Sequence, residues 1–432
     1  MSLSRFLLLA AALAICAAGC AVAPAPSGPP ARPGSQAADS GQQPTLILIS
    51  LDGFRWDFLE HGVTPTLSRL AAAGVHADRL IPSFPTKTFP NHYTIVTGLR
   101  PAEHGVVANN ILDPRTGERF SLSNRKAVRD GKWYGGVPIW VTAERAGMRT
   151  APLFWPGSEA EILGIRPSYS LAYDGDMRPD DRVDLVLEWL DLPAPERPSF
   201  LTLYFEDVDD GAHRYGPDPS EGLTRALGVV DRAIERLVDG LNRRGLNSSV
   251  DLLIVSDHGM SATSASRVIF LDDYVDPEEA NVVDWSPILG LWPSPEHADA
   301  IYQALAGAHP HLAVYRREEI PDRYQFSGHE RIPLIVGISD DGWSVATRAR
   351  FNGCPGSFDG GAHGYFQSLD SMGALLIAYG PSFRRQTKIG PIENFHLYNV
   401  MCAVLGLEPA PNSGDPARVE EFLRSPSQSK IR

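Results

Sequence analysis

Thr45-Leu46-Ile47-Leu48-Ile49-Ser50-Leu51-Asp52-Gly53 is the stretch whose reading decides the fold. Its apolar residues do not alternate with polar ones, as they would in a strand with one wet face. A near-continuous apolar run closing on Asp-Gly is the pattern of a strand buried on both faces of a parallel sheet. Similar runs recur at 151–155, 200–205, 252–256 and 374–379. Between them lie helical patterns. From Leu223, the residues Leu227, Val230, Ile234, Leu237 and Leu241 repeat at three- and four-residue spacing, and Gly245 is a natural stop. Strand and helix alternating in this way predict an α/β fold, a mostly parallel central sheet with helices on both faces.

In open α/β sheets, functional groups gather at the carboxyl ends of the strands. Asp52 ends the first run, Asp209 follows the run at 200–205, and Asp257-His258 ends the run at 252–256. Alone, Asp52-Gly53 reads as a turn; three carboxylates with histidines at three strand ends read as a shared site. In Glu206-Asp207-Val208-Asp209-Asp210-Gly211-Ala212-His213, a carboxylate and an imidazole four apart form a zinc-compatible pair that a single turn can bring to one ion. Asp207 and Asp210 compete with Asp209 for that role on sequence grounds. His363 lies in Gly360-Gly361-Ala362-His363-Gly364, where glycines permit close backbone approach, though by itself it reads as a turn.

The nucleophile candidate sits in Phe84-Pro85-Thr86-Lys87-Thr88-Phe89-Pro90-Asn91-His92-Tyr93. Pro90 suits the first position of a helix running to about Thr97 and closed by Gly98. Thr88 is then expected just ahead of the helix, where unpaired N–H groups and the dipole favour an anion. Taken alone it reads as a capping residue. A threonine hydroxyl attacks only when a base or metal removes its proton, and a zinc ion held by nearby Asp and His would do so.

The 432-residue chain is 43% hydrophobic and 21% charged, an ordinary globular balance. Its formal net charge of −13 and lack of a Lys/Arg run exclude duplex nucleic acid as the expected partner. Small phosphate esters stay in play if bound metal supplies local positive charge. Residues 1–20 are expected to be a signal peptide, with Arg5 followed by an apolar run too short to span a bilayer comfortably. Ala17-Ala18-Gly19-Cys20 resembles a lipoprotein processing site, so the expectation is export, with either lipid anchoring at Cys20 or release into the periplasm. Residues 21–44, rich in Pro, Ala, Gly, Ser and Gln, are the expected disordered linker. The catalytic domain is expected over 45–425, with an insertion at about 275–360 where prolines are frequent and periodicity is weak. Cys354 and Cys402 would either pair or remain buried thiols. The sequence sets no oligomeric state.

Together these segments resemble one family. The motifs Leu51-Asp52-Gly53-Phe54-Arg55, Pro85-Thr86-Lys87-Thr88-Phe89-Pro90-Asn91-His92-Tyr93, Thr97-Gly98-Leu99, His104-Gly105, Phe154-Trp155-Pro156-Gly157-Ser158, Asp257-His258-Gly259-Met260 and Tyr398-Asn399-Val400-Met401-Cys402 are similar to those of nucleotide pyrophosphatase/phosphodiesterases of the alkaline phosphatase superfamily. The likeness runs in order from about 45 to 415. It implies an alkaline-phosphatase-like fold and two Zn2+ ions about 4 Å apart acting on one phosphoryl group. By this resemblance Asp52, Thr88, Asp257 and His258 hold one ion, and Asp209, His213 and His363 the other. Asn109 matches an amide donor to the phosphate. Phe89 and Tyr173 match a pair that sandwiches a nucleotide base, a contact worth roughly 1–3 kcal/mol. Phe366-Gln367 departs from the Asp-Asn of many relatives, which leaves nearby substrate contacts in question.

The activity implied is hydrolysis of nucleotide phosphodiesters and pyrophosphates to nucleoside 5′-monophosphates through a phosphothreonine intermediate at Thr88. The alternative is the same chemistry on phospholipid or choline-phosphate diesters, since an aromatic pair also holds a quaternary ammonium. Sulfatase action is disfavoured by the absence of a Cys/Ser-x-Pro-x-Arg segment. Arg55 is expected to be solvated rather than to contact phosphate.

Overall fold

The structure is a computed structural model that describes residues 44–424. The expected signal peptide, the processing site at Cys20 and all but the last residue of the expected linker lie outside the described residues. The central sheet has seven strands, numbered here within that sheet alone: β1 (Thr45–Leu51), β2 (Val75–Ala77), β3 (Thr150–Pro152), β4 (Phe200–Phe205), β5 (Val250–Val255), β6 (Leu376–Tyr379) and β7 (Thr387–Ile389). Their spatial order is β7-β2-β6-β5-β1-β4-β3. β1 lies parallel between β4 and β5, and β3 is parallel to β4. β6 runs antiparallel to both its neighbours, β5 and β2.

Every residue of β1 is buried, as its unbroken apolar run requires. The principal helices are α1 (Pro65–Ala73), α2 (Thr88–Thr97), α3 (Pro179–Leu190), α4 (Asp207–Tyr215), α5 (Glu221–Arg243) and α6 (Leu397–Leu405). Ile47, Ile49 and Leu51 of β1 pack with α1, α3 and α5 through Leu67, Val186, Leu227 and Ile234. Leu46 and Leu48, pointing the other way, pack with α2 and α6 through Ile95, Val96, Val400 and Met401. The two-residue alternation of the strand thus feeds two cores, one per face. Ser220 caps α5 by accepting from the Leu223 N–H, and Gly245 takes φ +68 just beyond its end.

Three expectations about element boundaries need correction. The run at 151–155 is strand only over Thr150–Pro152, because Phe154 adopts φ +61 and breaks the pleat. The run at 374–379 pairs in the sheet only from Leu376. Helix α2 starts at Thr88 rather than at Pro90. Within the 275–360 stretch, Val282–Asp284, Ile288–Leu291, Ile335–Ser339 and Leu312–Arg316 form a four-stranded antiparallel sheet in that spatial order. The helix Pro295–Leu305 covers it through Ile301 and Leu305, giving this region a hydrophobic cluster of its own. Cys354 and Cys402 are both free thiols, so the two do not pair, and the expectation of two buried thiols holds for Cys402 alone, Cys354 being exposed.

Candidate active site

β1, β4 and β5 lie side by side, and their carboxyl ends deliver the acidic residues to one place. Asp52 follows β1 directly. Gly53 turns the chain at φ +67, and a Cβ on it would stand 2.8 Å from Asp209 Oδ1, so only glycine both allows the turn and admits Asp209. Asp257 and His258 come after β5. Helix α4 begins two residues after β4 and sets Asp209 and His213 one turn apart. His363 follows the short strand Gly360–Ala362, which pairs with Ser261–Thr263. Gly360 runs at φ +139, and a Cβ there would sit 2.2 Å from the His213 carbonyl.

The structure brings these six residues together. His258 Nε2 lies 3.0 Å from Asp257 Oδ2 and 3.4 Å from Asp52 Oδ1. Asp209 places Oδ2 3.4 Å from His213 Nε2 and Oδ1 3.9 Å from His363 Nε2. Their donor atoms form two groups spaced closely enough to hold a cation, Asp52/Asp209/His258 and Asp209/His213/His363, with Asp209 common to both. Asp207 and Asp210 belong to neither. The rings of His258 and His363 stack at 3.5 Å and 10°.

Each of the three histidines is oriented by its far nitrogen. His213 Nδ1 lies 2.7 Å from the Gly361 carbonyl, His258 Nδ1 2.9 Å from that of Gly259, and His363 Nδ1 2.8 Å from that of Thr86. A carbonyl can only accept, so Nδ1 carries a proton and Nε2 is the nitrogen that faces the carboxylates. This is the outer-shell arrangement of metal-ligating histidines. Four buried atoms of the cluster, Asp52 Oδ1, Asp209 Oδ1, Asp257 Oδ2 and His258 Nε2, have no hydrogen-bond partner among the described residues. Such atoms are costly unless something satisfies them. Their nitrogen and oxygen chemistry fits zinc better than magnesium or calcium.

The electrostatics agree with that fit. Burial, then the charges of Asp257 and Asp209, push the Asp52 carboxyl well above its ordinary range. Burial would also raise Asp257, but His258 and His92 hold it well below. Burial, reinforced by His258 and His213, pushes His363 well down and keeps its imidazole neutral. A cation among these groups relieves the carboxylate repulsion.

His92, Tyr204 and Ser50 were not singled out by sequence reasoning. His92 Nδ1 stands 3.3 Å from Asp257 Oδ2, completing a third group with Asp52. Both its nitrogens are already engaged, however, Nδ1 with the Thr88 carbonyl and Nε2 with Ser50 Oγ, each at 2.8 Å. This makes His92 an orienting residue rather than a ligand. Tyr204 donates its hydroxyl to Asp52 Oδ2 at 2.6 Å. His92 lies within the nucleophile segment and Tyr204 within β4, but neither spacing nor composition marked them.

Thr88 opens α2 and is tied through its carbonyl to His92, hence to Asp257. Asn109 Oδ1 accepts from the Phe89 N–H at 3.0 Å, which leaves the Asn109 amide protons as the donors. Phe89 packs edge-on against Phe120, and Tyr173, 38% exposed, packs against Phe154 and Tyr204. Arg55 is not solvated: it makes a bidentate pair with Asp57 and donates to the Met260 carbonyl. Phe366 packs on Tyr324 and Gln367 donates to the Arg323 carbonyl, so both side chains serve packing.

Residues 46–366 match the family described as type I phosphodiesterase / nucleotide pyrophosphatase. The chain is 38% identical to mouse ectonucleotide pyrophosphatase/phosphodiesterase family member 1, over 89% of this chain and 43% of that protein. It is 40% identical to an uncharacterised pyrophosphatase/phosphodiesterase of Schizosaccharomyces pombe, over 86% of this chain and 79% of that protein. The chain spans less than half the length of the mouse relative. Among solved structures, it superposes with a TM-score of 0.84 on murine ectonucleotide pyrophosphatase/phosphodiesterase 5, described as an inactive threonine-to-alanine variant in complex with AMP. Identity there is 36%, covering 89% of this chain and all of that one.

Proposed function

The chain belongs to the type I phosphodiesterase / nucleotide pyrophosphatase family, and we propose that it hydrolyses nucleotide phosphodiesters and pyrophosphates to nucleoside 5′-monophosphates. The observation that carries this reading is the convergence of Asp52, Asp209, His213, Asp257, His258 and His363, with four buried ligand-type atoms lacking a hydrogen-bond partner among the described residues. We assign Asp52, Asp257 and His258, together with the Thr88 hydroxyl, to one zinc ion, and Asp209, His213 and His363 to the other. When bound, the two ions polarise the phosphoryl oxygens and lower the pKa of hydroxyl groups beside them.

The remaining work falls to the chain's own residues. The N-terminal end of α2 presents Thr88 where its N–H groups and dipole favour negative charge. Thr88 Oγ1 attacks phosphorus; the new O–P bond forms as the alkoxide or phosphate departs with its electron pair and takes up the proton that the Thr88 hydroxyl loses. Water then attacks the phosphothreonine, releasing the nucleoside 5′-monophosphate and restoring the Thr88 hydroxyl. Asn109 donates to a nonbridging oxygen, its own carbonyl held by the Phe89 N–H. Phe89 and Tyr173 hold the base. The AMP complex of the murine structure supports a nucleotide in this role.

Residues 45–425 form the catalytic domain on this reading, with 275–360 as an insertion. The protein acts after export, as the expected signal peptide and the ecto-enzyme names of its relatives support. Among the described residues, no helix is long and apolar enough to cross a membrane. Assay of the purified protein on p-nitrophenyl thymidine 5′-monophosphate beside p-nitrophenyl phosphorylcholine decides the substrate class. Preference for the choline ester would replace the nucleotide reading with the phospholipid-type one.

A further inference from the structure

Two buried charges lie just outside the proposed reaction centre. Lys87 immediately precedes Thr88, and its side chain is only 6% exposed. Its ammonium meets Asp284 Oδ2 at 2.5 Å, and the Asp284 side chain is 7% exposed. The other oxygen of that carboxylate accepts from Asn110 Nδ2 at 3.1 Å. Lys87 and Asn110 are the chain neighbours of Thr88 and Asn109, the two residues assigned to the phosphoryl group. One carboxylate therefore ties together the two segments that carry the nucleophile and the amide donor. The Phe89-to-Asn109 hydrogen bond closes the same loop from the other side.

Asp284 comes from the small antiparallel sheet, at the end of the strand Val282–Asp284. The strand register shifts between Val282 and Asp284, an irregularity of the kind that re-aims a side chain. The Lys87 stem also packs near Gly364, where a Cβ would lie 3.3 Å from Lys87 Cε. On the other side, the Thr86 hydroxyl accepts from the Gly364 N–H and donates to the Tyr365 carbonyl, while the Thr86 carbonyl orients His363. Residues 86–88 are thus pinned from both flanks. A buried ion pair contributes little net stability against apolar residues of the same shape, and its best-attested use is to fix one register.

We propose that Asp284 is a positioning residue for the reaction: through Lys87 and Asn110 it sets the distance between the Thr88 hydroxyl and the Asn109 amide. The inference rests on the phosphodiesterase reading and assigns the inserted sheet a task within it. A small displacement of a reacting group costs rate more than binding, on the order of 100-fold for a misplacement of about 1 Å. Turnover should therefore depend on Asp284 more than substrate affinity does.

The test is hydrolysis of p-nitrophenyl thymidine 5′-monophosphate by the zinc-supplemented full chain, with melting temperature and bound zinc measured alongside. Asp284→Asn should lower kcat about 10- to 100-fold while KM stays within about threefold and bound zinc is unchanged. Asn110→Ala cuts one link at an exposed side chain without stranding a charge, and should lower kcat in the same direction by a smaller factor. Combining the two should be no slower than Asp284→Asn alone, because both act through one link. A folded Asp284→Asn variant with wild-type kcat, or one whose loss falls on KM alone, overturns the proposal. Should Asp284→Asn fail to fold, Asn110→Ala decides, and an unchanged kcat there overturns it equally. A wild-type chain inactive on nucleotide diesters overturns the functional reading itself, and this inference with it.

Discussion

Thr88 opens helix α2 rather than preceding it, and the shift follows from where prolines are tolerated. With Thr88 as the first helical residue, Pro90 is the third, and its missing N–H is among the four that have no partner inside a helix. Sequence alone favoured the commoner first-position proline, hence the two-residue error. The role proposed for the residue survives the shift, since Thr88 still lies in the turn where the dipole favours an anion. Thr88→Ala is expected to abolish turnover on p-nitrophenyl thymidine 5′-monophosphate with melting temperature and bound zinc nearly unchanged. Thr88→Ser should recover part of the rate, because it keeps the hydroxyl. More than a few per cent of wild-type turnover in the alanine variant would remove the covalent step. Asp52, Asp257-His258 and the Asp209–His213 pair were legible because strand-end acids and Asp-to-His spacing are chain-local signals, whereas His363 was reached only through the family resemblance. His92, Tyr204 and Asp284 were not, since each acts on a residue brought close only by folding, Asp284 across 197 positions to Lys87.

Elements hold the site in place through contacts that are themselves polar and buried. Asp231 of α5 accepts from the Thr66 and Leu67 N–H groups, satisfying the N-terminus of α1 across the helix layer. Asp231→Ala should cost about 2 kcal/mol of stability, the loss of charge-assisted hydrogen bonds at buried donors. Urea unfolding measures that loss, and kcat should not move. At the second position of β5, Asp251 is buried against Ser382, which donates its N–H and hydroxyl, and burial raises the carboxyl to about 6. The native chain then binds a proton that the unfolded chain releases near pH 4. The stability from this group is present below that pH and is lost as pH rises through about 6. Asp251→Asn, which cannot ionise, should therefore gain melting temperature relative to wild type between pH 4 and pH 7. A constant difference across that window would contradict the assignment. The three-residue strands β2 and β7 and the antiparallel run of β6 escaped sequence reading for a different reason. Strands this short carry no period, and strand direction is not written in apolar pattern.

For the whole molecule, one sheet end gathers acids and histidines with polar atoms left unsatisfied among the described residues, and on the proposed reading an exogenous cation would complete them. The family membership and the central α/β sheet were legible from ordered motifs and buried strand runs. The inserted sheet was not, because its prolines and irregular register mask its alternation, although it supplies Asp284. Exhaustive chelation should inactivate the protein and zinc should restore it, with about two ions bound per chain; elemental analysis showing no transition metal in active protein would contradict the site. The ester the site prefers follows from its charge. Asn109 is a neutral donor, and Arg55 is committed to Asp57 and Met260, so no arginine of the matched motifs meets the extra charge of a phosphate monoester. The most direct measurement compares kcat/KM for p-nitrophenyl thymidine 5′-monophosphate with that for p-nitrophenyl phosphate on one zinc-loaded preparation. A diester advantage of at least about tenfold is expected, corresponding to about 1.4 kcal/mol of differential transition-state stabilisation; equal efficiencies, or a monoester advantage, would contradict the two-metal diesterase reading.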